Sequence, residues 1–259
     1  MKRRMHHLFR EDGRVFIVAM DHAGFSDKPL PGMIHPGETI RKVAAGGADV
    51  VMTTFGTATH FTEELAECGL IVSIGTGSPM GEYAVEAALS IGADGLKTMA
   101  YPWLASDPNS VLNALRVGAE CHRWGMPYLV ETIPGGFFGD GKFRTSDDRF
   151  RTPEKIAAGA RIGAEAGADF VKTFYTGSPE TFKVVTDNCH VPVIILGGGK
   201  TDSDRELLEV VKDSLAGGGK GVAMGNNIWR HEHPDKIVAA IASIIHDRAT
   251  VDQALKKLR

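Results

Sequence analysis

Eight short apolar runs recur along the 259 residues of the chain, and they restrict its fold more than any other feature. Within each run the apolar residues are nearly continuous, which is typical of parallel strands covered on both faces. Helical stretches separate the runs, as the crossovers between parallel strands require. We predict strands at residues 16–21, 50–54, 71–74, 95–99, 128–132, 170–174, 193–196 and 221–225.

One phrase, glycine-alanine-aspartate followed by apolar residues, occurs three times directly before a predicted strand. It begins at Gly47, Gly92 and Gly167, and in the last two copies the strand contains Lys97 or Lys172 at the same position. A helix that ends at glycine and leads at once into a strand belongs to a repeated βα unit. Eight such units predict a single (β/α)₈ TIM barrel, and a doubly wound open sheet is the alternative.

The sequence contains no internal domain boundary, so we predict one domain over residues 1–259. Residues 1–14 form an N-terminal extension and residues 248–259 a C-terminal helix. The glycine-rich stretch 134–151 follows the fifth strand and is a candidate lid, with a plain surface loop as the alternative. A loop in this position lies on the catalytic face of a barrel.

Charge, hydropathy and cysteine content exclude several classes of partner. The formal net charge is −3 and there is no long basic run, so we expect no nucleic-acid partner. No apolar run approaches the roughly 18 residues of a membrane helix, so we expect no membrane partner. Cys68, Cys121 and Cys189 lie far apart and form no metal-binding spacing, which favours a reducing, cytoplasmic location.

Lys172 is the most informative candidate for catalysis because it interrupts an apolar strand. Burial of an ammonium is costly, lowers the pKa of the group, and leaves the free amine that a Schiff-base nucleophile needs. Lys97 has the equivalent position in its own strand, and two inward-facing cations would each lower the pKa of the other. The alternative is that the lysines form structural ion pairs with Asp21 or Glu131.

Other candidates lie at the C-terminal ends of the strands, where a barrel has its active site. Asp21 and its neighbour His22 follow the first strand, and Asp21 suits a lysine amine or a substrate hydroxyl. Glu131 ends the fifth strand and is a candidate acid or base. Glycines close strands seven and eight, where backbone N–H groups of barrels often bind phosphate: Gly197, Gly198 and Gly225. The histidines lack a metal-binding spacing, and we expect no metal.

Four segments of the chain resemble the archaeal-type class I fructose-bisphosphate aldolases. The phrase Lys-x-x-Tyr-Thr-Gly at 172–177 is the most specific, and the resemblance extends from about residue 15 to 245. The wider family includes deoxyribose-phosphate-type aldolases, aminodideoxyheptulosonate synthase and the autoinducer-2 thiolase. The segments are 19–22, 168–177, 191–201 and 221–229.

This resemblance implies a role for several residues. It assigns the Schiff-base lysine to Lys172, so that the covalent imine replaces any cofactor, and it matches Asp21 to the aspartate after the first strand. Gly197, Gly198 and Gly225 match backbone positions that hold a substrate phosphate. The implied partner is a small sugar or sugar phosphate, and relatives of this kind form homo-oligomers.

Three positions depart from the family pattern. Ile133 begins the segment Ile-Pro-Gly-Gly where the aldolases have Tyr-Pro-Arg-Gly with a proton-donating tyrosine. Asn226 replaces an arginine that pairs with phosphate, and Leu196 replaces a serine. Proton transfer then needs another group, such as Glu131, and a phosphate would be held by backbone donors near Gly225 and by Asn226, with His22 beside them.

We therefore predict a metal-independent class I aldolase, an aldehyde-lyase that cleaves or forms a carbon–carbon bond in a phosphorylated ketose or oxo-sugar. One alternative keeps the lysine but transfers an acyl group of a dioxo sugar phosphate to coenzyme A, as the thiolase relative does. Another is a non-catalytic binder of phosphorylated ligands, suggested by the missing tyrosine and arginine.

Overall fold

Eight parallel strands close into a barrel in the computed structural model, and each strand pairs with the next along the chain while β8 pairs with β1. The predicted (β/α)₈ barrel is confirmed, and every predicted strand overlaps an observed one. The structure describes residues 3–75, 84–136, 148–198, 201 and 203–259. The strands are β1 (Val15–Ala19), β2 (Val50–Thr54), β3 (Gly69–Ser73), β4 (Gly95–Ala100), β5 (Tyr128–Thr132), β6 (Phe170–Thr173), β7 (Val193–Leu196) and β8 (Gly221–Met224).

Helices follow the strands in turn and surround the barrel. Two of them begin at a proline preceded by a capping side chain, since the Thr152 and Ser178 hydroxyls accept hydrogen bonds from the backbone of α6 and α7. The helices are α1 (Pro36–Ala45), α2 (Phe55–His60), α3 (Thr62–Leu65), α4 (Ala84–Ser90), α5 (Ser110–Trp124), α6 (Pro153–Glu165), α7 (Pro179–Asn188), α8 (Asp204–Ala216), α9 (Asn226–Trp229), α10 (Pro234–His246) and α11 (Val251–Leu255).

The three-fold repeat of glycine-alanine-aspartate has a structural role at the N-terminal face of the barrel. Each aspartate carboxylate accepts a hydrogen bond from a backbone N–H at the start of the preceding strand. The pairs are Asp49 with Phe16 (2.6 Å), Asp94 with Leu70 (3.0 Å) and Asp169 with Tyr128 (2.8 Å). Each of these hydrogen bonds fixes the register of two neighbouring strands: β1 with β2, β3 with β4, and β5 with β6. The residue three positions after each aspartate therefore lies at the same height along the barrel axis.

The barrel interior forms its own apolar cluster, separate from the core between strands and helices. Met5 and Leu8, from the predicted N-terminal extension, belong to this inner cluster, and Phe9 makes an edge contact with Phe170 at 5.1 Å. Burial of each large apolar side chain contributes about 1.5–3 kcal/mol. Residues 3–9 therefore close the N-terminal end of the barrel, opposite the end where the candidate catalytic residues lie.

The C-terminal segment packs on the outside of the barrel. Helix α11 and a 3₁₀ helix, Lys256–Leu258, occupy the part of the chain where the sequence predicts a C-terminal helix. In the described ranges, none of the helices is long and apolar enough to cross a membrane.

A histidine joins the N-terminal segment to the barrel. The ring nitrogens of His246 contact Asp12 at 2.9 Å and Asp49 at 3.0 Å, and the His246 side chain is buried. Burial disfavours the imidazolium, but hydrogen bonds to Asp49 and Asp12 outweigh this cost and raise the pKa of His246 above 6.5. His246 therefore keeps its positive charge, and its ion pairs with both aspartates, to a higher pH than an unperturbed histidine would.

We expect His246→Gln to remove a pH-dependent part of the stability. Because the folded-state pKa of His246 is raised, its contribution is fully present below pH 6.5 and is lost as the pH rises through the folded-state value. Urea unfolding of the wild type should lose about 1–2 kcal/mol between pH 6 and 9 that the variant does not lose. Parallel pH profiles for the two proteins would contradict this role.

Candidate active site

Four charged side chains form a continuous chain inside the C-terminal half of the barrel. The Lys172 ammonium contacts one Glu131 oxygen at 2.8 Å, and the other Glu131 oxygen contacts Lys97 at 2.8 Å. Lys97 also contacts Asp21 at 3.1 Å. All four residues are at most 5% exposed, so the two positive and two negative charges alternate in a region with little water.

The register of the sheet brings these residues together. Glu131 pairs with Lys172 on β6 and with Met99 on β4, and Ser73 on β3 pairs with Lys97. Because side chains alternate between the two faces of a strand, Lys97 and Met99 both face the interior. Glu131 is therefore within reach of both lysines, although they lie on strands that are not neighbours.

Ser73 and His22 complete the contacts of Asp21. The Ser73 hydroxyl donates to Asp21 at 2.6 Å and accepts from Lys97 at 3.3 Å, and Nδ1 of His22 lies 3.6 Å from the second Asp21 oxygen. Ser73 was not predicted from the sequence, since a serine at the end of a strand gives no chemical signal by itself.

Electrostatics fixes the protonation of three members of the cluster. Burial opposes ionisation of Asp21, but the charges of Lys97, His22 and Lys172 and the hydrogen bond from Ser73 together outweigh it and lower the pKa of the carboxyl. Burial is likewise outweighed at Glu131, where Lys172 and then Lys97 lower the pKa. For Lys97, burial is outweighed by Asp21 and Glu131, which raise its pKa. Asp21 and Glu131 are thus carboxylates at neutral pH, and Lys97 is a cation.

The expectation that the lysines lower the pKa of each other is wrong for Lys97. Glu131 stands between the two ammonium groups and contacts both, so the nearest charges to Lys97 are negative. The ion pairs that the sequence offered as an alternative are present. Among the described residues Lys172 has one carboxylate partner, whereas Lys97 has two.

His22 lies between the charged cluster and the loop after β8. Its ring is 5.6 Å from the Trp229 ring and 5.7 Å from that of Phe25. Burial lowers the pKa of His22, and the Asp21 charge only partly opposes this. The imidazole is therefore neutral at pH 7 and presents one donor and one acceptor nitrogen.

The predicted phosphate positions lie side by side after β7 and β8. Strand pairing places Leu196 beside Ala223, so the glycines that follow these strands are neighbours. Gly198 has a φ of +60°, with open space where a Cβ would be. At Gly225 a Cβ would lie 2.4 Å from the Ala19 carbonyl oxygen, so only glycine fits between this loop and β1.

Asn227, which the sequence analysis passed over, joins the two loops. Its amide donates to the Gly197 carbonyl at 3.2 Å and accepts from the Thr201 N–H at 3.1 Å. Asn226 is half-buried at the start of α9, beside these contacts. Gly199, the last residue of the glycine run after β7, and Lys200 lie outside the described residues.

Arginine and aromatic side chains lie at the β5 and β6 side of the same barrel end. The Cζ atom of Arg151 is 3.3 Å from the centre of the Phe174 ring, directly after the strand that holds Lys172. Trp103 stacks on Phe150 with 6.1 Å between ring centres. Phe150 and Arg151 are the last two residues of the predicted lid, 134–151, of which residues 137–147 lie outside the described part of the chain. Arg151 was not singled out from the sequence, because a single arginine in a loop has no distinguishing pattern.

Comparison with known proteins identifies the family. A family model described as DeoC/LacD family aldolase matches residues 15–231, which is most of the chain. The chain belongs to the DeoC/LacD aldolase family. The resemblance seen in the sequence is thereby confirmed, and this aldolase places its buried charges at the barrel end that the fold uses for catalysis. In the described ranges, no group of three or more histidine, cysteine or acidic residues could hold a metal ion.

Relatives cover nearly the whole length of this family member. An uncharacterized aldolase of Saccharolobus solfataricus is 32% identical over 99% of this chain and 98% of its own. The 2-amino-3,7-dideoxy-D-threo-hept-6-ulosonate synthase of Halobacterium salinarum is 30% identical over 95% and 92%. A solved archaeal fructose-1,6-bisphosphate aldolase, whose catalytic lysine is covalently bound to the carbinolamine intermediate of the substrate, is 27% identical with a TM-score of 0.78, over 94% and 98%.

Proposed function

We propose that this protein is a metal-independent class I aldolase that cleaves or forms a carbon–carbon bond in a phosphorylated ketose or oxo-sugar through an imine on Lys172. The observation that carries the proposal is the buried series of Lys172, Glu131, Lys97 and Asp21. A solved family neighbour with a covalent lysine intermediate supports the same chemistry.

Glu131 is our candidate for the proton transfers of imine formation. It accepts a proton from the Lys172 ammonium at 2.8 Å, which frees the amine to attack the substrate ketone. The protonated carboxyl then returns this proton to the carbinolamine hydroxyl, which leaves as water and produces the iminium. Glu131 ends this step as a carboxylate, its resting form.

The same carboxylate suits the bond-breaking step. Glu131 removes the proton of the substrate hydroxyl, the carbon–carbon bond breaks, and its electron pair enters the iminium to give an enamine. Asp21 is the alternative base, but Lys97 and Ser73 already occupy one of its oxygens. Lys97 stays charged throughout and stabilises both carboxylates.

The glycine loops are our proposed phosphate site. Gly197, Gly198 and Gly225 bring main chain from β7 and β8 together, and glycine lets N–H groups approach phosphate oxygens closely. Asn226 and the neutral His22 border this surface and supply hydrogen bonds without adding charge. The substrate phosphate would thus be held by backbone and amide donors.

A borohydride-trapping screen tests the proposal. Dihydroxyacetone, dihydroxyacetone phosphate, fructose 1-phosphate and fructose 1,6-bisphosphate are each incubated with the protein and sodium borohydride, with and without EDTA. We expect at least one ketone to give an adduct in the intact mass, mapped to Lys172 and unaffected by EDTA. The proposal fails if a ketone is turned over without labelling, or if EDTA abolishes turnover.

The same screen separates the thiolase alternative. Ketones that give an adduct are incubated again with coenzyme A, and the products are analysed by mass spectrometry. An aldolase releases two carbonyl compounds whether or not coenzyme A is present. Formation of an acyl thioester would instead assign acyl transfer to this site.

A further inference from the structure

A tyrosine lies beside the position where the family pattern has one. That position here is Ile133, whose backbone N–H donates to the Ala100 carbonyl at 2.9 Å. The pairing of β4 with β5 ends where Ala100 lies opposite Thr132, and Tyr101 and Ile133 are the residues that directly follow the two strands. A phenol is thus present directly after β4, next to the strand end where the family pattern has one.

The Tyr101 side chain lies on the side of β4 that Lys97 faces. Alternation along the strand gives Lys97 and Met99 a common direction, and the phenol oxygen of Tyr101, directly after the strand, is 3.0 Å from the Met99 sulfur. Met99 pairs with Glu131, and the phenol interacts electrostatically with both Lys97 and Glu131. Tyr101 therefore lies between the charged cluster and the open, C-terminal end of the barrel.

The backbone of Tyr101 is fixed while its side chain stays accessible. Its N–H donates to the hydroxyl of Ser110 at 3.0 Å, and that hydroxyl is buried at the start of α5, where it donates to the Asp107 carbonyl at 3.1 Å. The Tyr101 residue itself is only half-buried. Part of the Tyr101 residue is therefore exposed to solvent, close to the electrostatic influence of Lys97 and Glu131.

In the resting site, the other groups with shifted pKa values are poor donors of a proton to the enamine carbon. Asp21 and Glu131 have lowered pKa values and are carboxylates at rest, and Lys97 has a raised pKa and two carboxylate partners. Glu131 takes up the hydroxyl proton when the carbon–carbon bond breaks, and we assign that proton to the Lys172 amine at the end of the cycle. His22 has a lowered pKa and carries no spare proton as an imidazolium at pH 7. Burial raises the pKa of Tyr101 to about 12, against the opposing effect of Lys97, so it keeps its proton.

We propose that Tyr101 is the catalytic residue that protonates the enamine carbon, in place of the tyrosine missing at Ile133; this inference rests on the proposed function. The enamine π pair takes the phenol proton and forms a C–H bond, which leaves a Tyr101 phenolate and an iminium on Lys172. Water adds to the iminium carbon and releases a proton to the phenolate. The carbinolamine then collapses to the ketone and the free Lys172 amine, which takes up the proton that Glu131 removed from the substrate hydroxyl, so atoms and charges balance and the resting ion pair is restored.

Lys97 gives the phenolate a fixed counter-charge during this step. It stays protonated, and its positive charge lowers the energy of the phenolate relative to the phenol. The Met99 sulfur beside the phenol oxygen is a weak acceptor and does not compete for the proton. The phenol proton of Tyr101 therefore stays on the oxygen at rest and can still be transferred to the enamine carbon.

Hydrogen–deuterium exchange on dihydroxyacetone phosphate tests the inference. The wild type and Tyr101→Phe are incubated with this ketone in D₂O, and loss of the C–H signal next to the carbonyl is followed by NMR. In parallel, the borohydride adduct on Lys172 is quantified. We expect Tyr101→Phe to form the adduct at the wild-type level, but to exchange about 10²- to 10⁴-fold more slowly, the usual contribution of a general acid.

Tyr175→Phe is the matched control, because Tyr175 packs against Phe182 on α7, and we expect wild-type exchange and trapping from it. Equal exchange by wild type and Tyr101→Phe, with the adduct present in both, would overturn only the assignment of Tyr101. Loss of the adduct in Tyr101→Phe would also overturn it, by assigning the side chain to folding or imine formation. A wild type without an adduct would count against the proposed function, and the inference would fall with it.

Discussion

Lys172→Arg should lower turnover by at least about 10⁴-fold and remove the borohydride adduct, while the protein keeps its thermal stability. Arginine retains a cation for Glu131, the partner that Lys172 contacts at 2.8 Å. A guanidinium does not lose its proton in proteins, so it cannot attack a ketone. Loss of a covalent nucleophile removes the whole catalytic route, which accounts for the size of the effect.

Lys172→Met separates the charge of the lysine from its nucleophilicity. This variant also lacks the amine, but it leaves Glu131 with Lys97 as its single cationic partner. The charge of Lys172 is the largest of the effects that lower the pKa of Glu131. The pKa of this carboxyl should therefore rise in the methionine variant. We expect equal loss of activity in the two variants and a lower melting temperature only for Lys172→Met.

Trapping with dihydroxyacetone phosphate, peptide mapping and thermal unfolding measure these outcomes. Lys183→Met is the control, since Lys183 is exposed on α7 and pairs with Asp187 at 2.7 Å. It should keep both adduct and activity. An adduct that persists in Lys172→Arg, on Lys97 or elsewhere, would show that a different amine forms the imine.

The barrel was predictable from the sequence because its strands are continuous apolar runs with few other structural options. The end of the first strand was harder to predict from the sequence. Asp21 was predicted inside that strand and lies two residues after Ala19, although the Met20 N–H still donates to the Met52 carbonyl at 2.7 Å. Where β1 ends depends on this last bond to β2 and on the 3₁₀ turn that follows at His22–Gly24.

Lys172 and Glu131 could be selected from the sequence because charged residues in apolar strands are unusual. The contact between their side chains could not be predicted, because it depends on how strands from distant parts of the chain align in the sheet. Asp21 and Lys97 are 76 positions apart and meet only when the barrel closes. Tyr101 was missed for the same reason, because its significance depends on Ile133, which follows the neighbouring strand β5.

The second large effect concerns Lys97, which we expect to be the main support of the buried charges. Lys97→Met leaves Asp21 without its cation at 3.1 Å and Glu131 with one cation instead of two. Removal of one partner from a buried ion pair costs about 3–5 kcal/mol, because a charge remains without compensation. At about 2–4 °C per kcal/mol for a chain of this size, the melting temperature should fall by roughly 10 °C.

The pH dependence of this loss identifies its cause. In the wild type the pKa of Asp21 is lowered below 3.8, so its contribution is present above that pH and is lost only as the pH falls through the folded-state value. Without Lys97, burial raises the pKa of Asp21 instead. The variant should therefore be closest to the wild type at low pH and lose stability as the pH rises through the raised value.

Adding Asp21→Asn to Lys97→Met should recover most of the lost stability. The double variant removes one positive and one negative charge, keeps a polar group for the Ser73 hydroxyl, and retains the pair between Lys172 and Glu131. Urea unfolding of both single variants and the double variant at pH 5 and pH 8 gives the coupling energy. If the double variant were no more stable than Lys97→Met alone, the loss would come from the cavity left by the long side chain. In that case the alternating charges would not be what holds the cluster together.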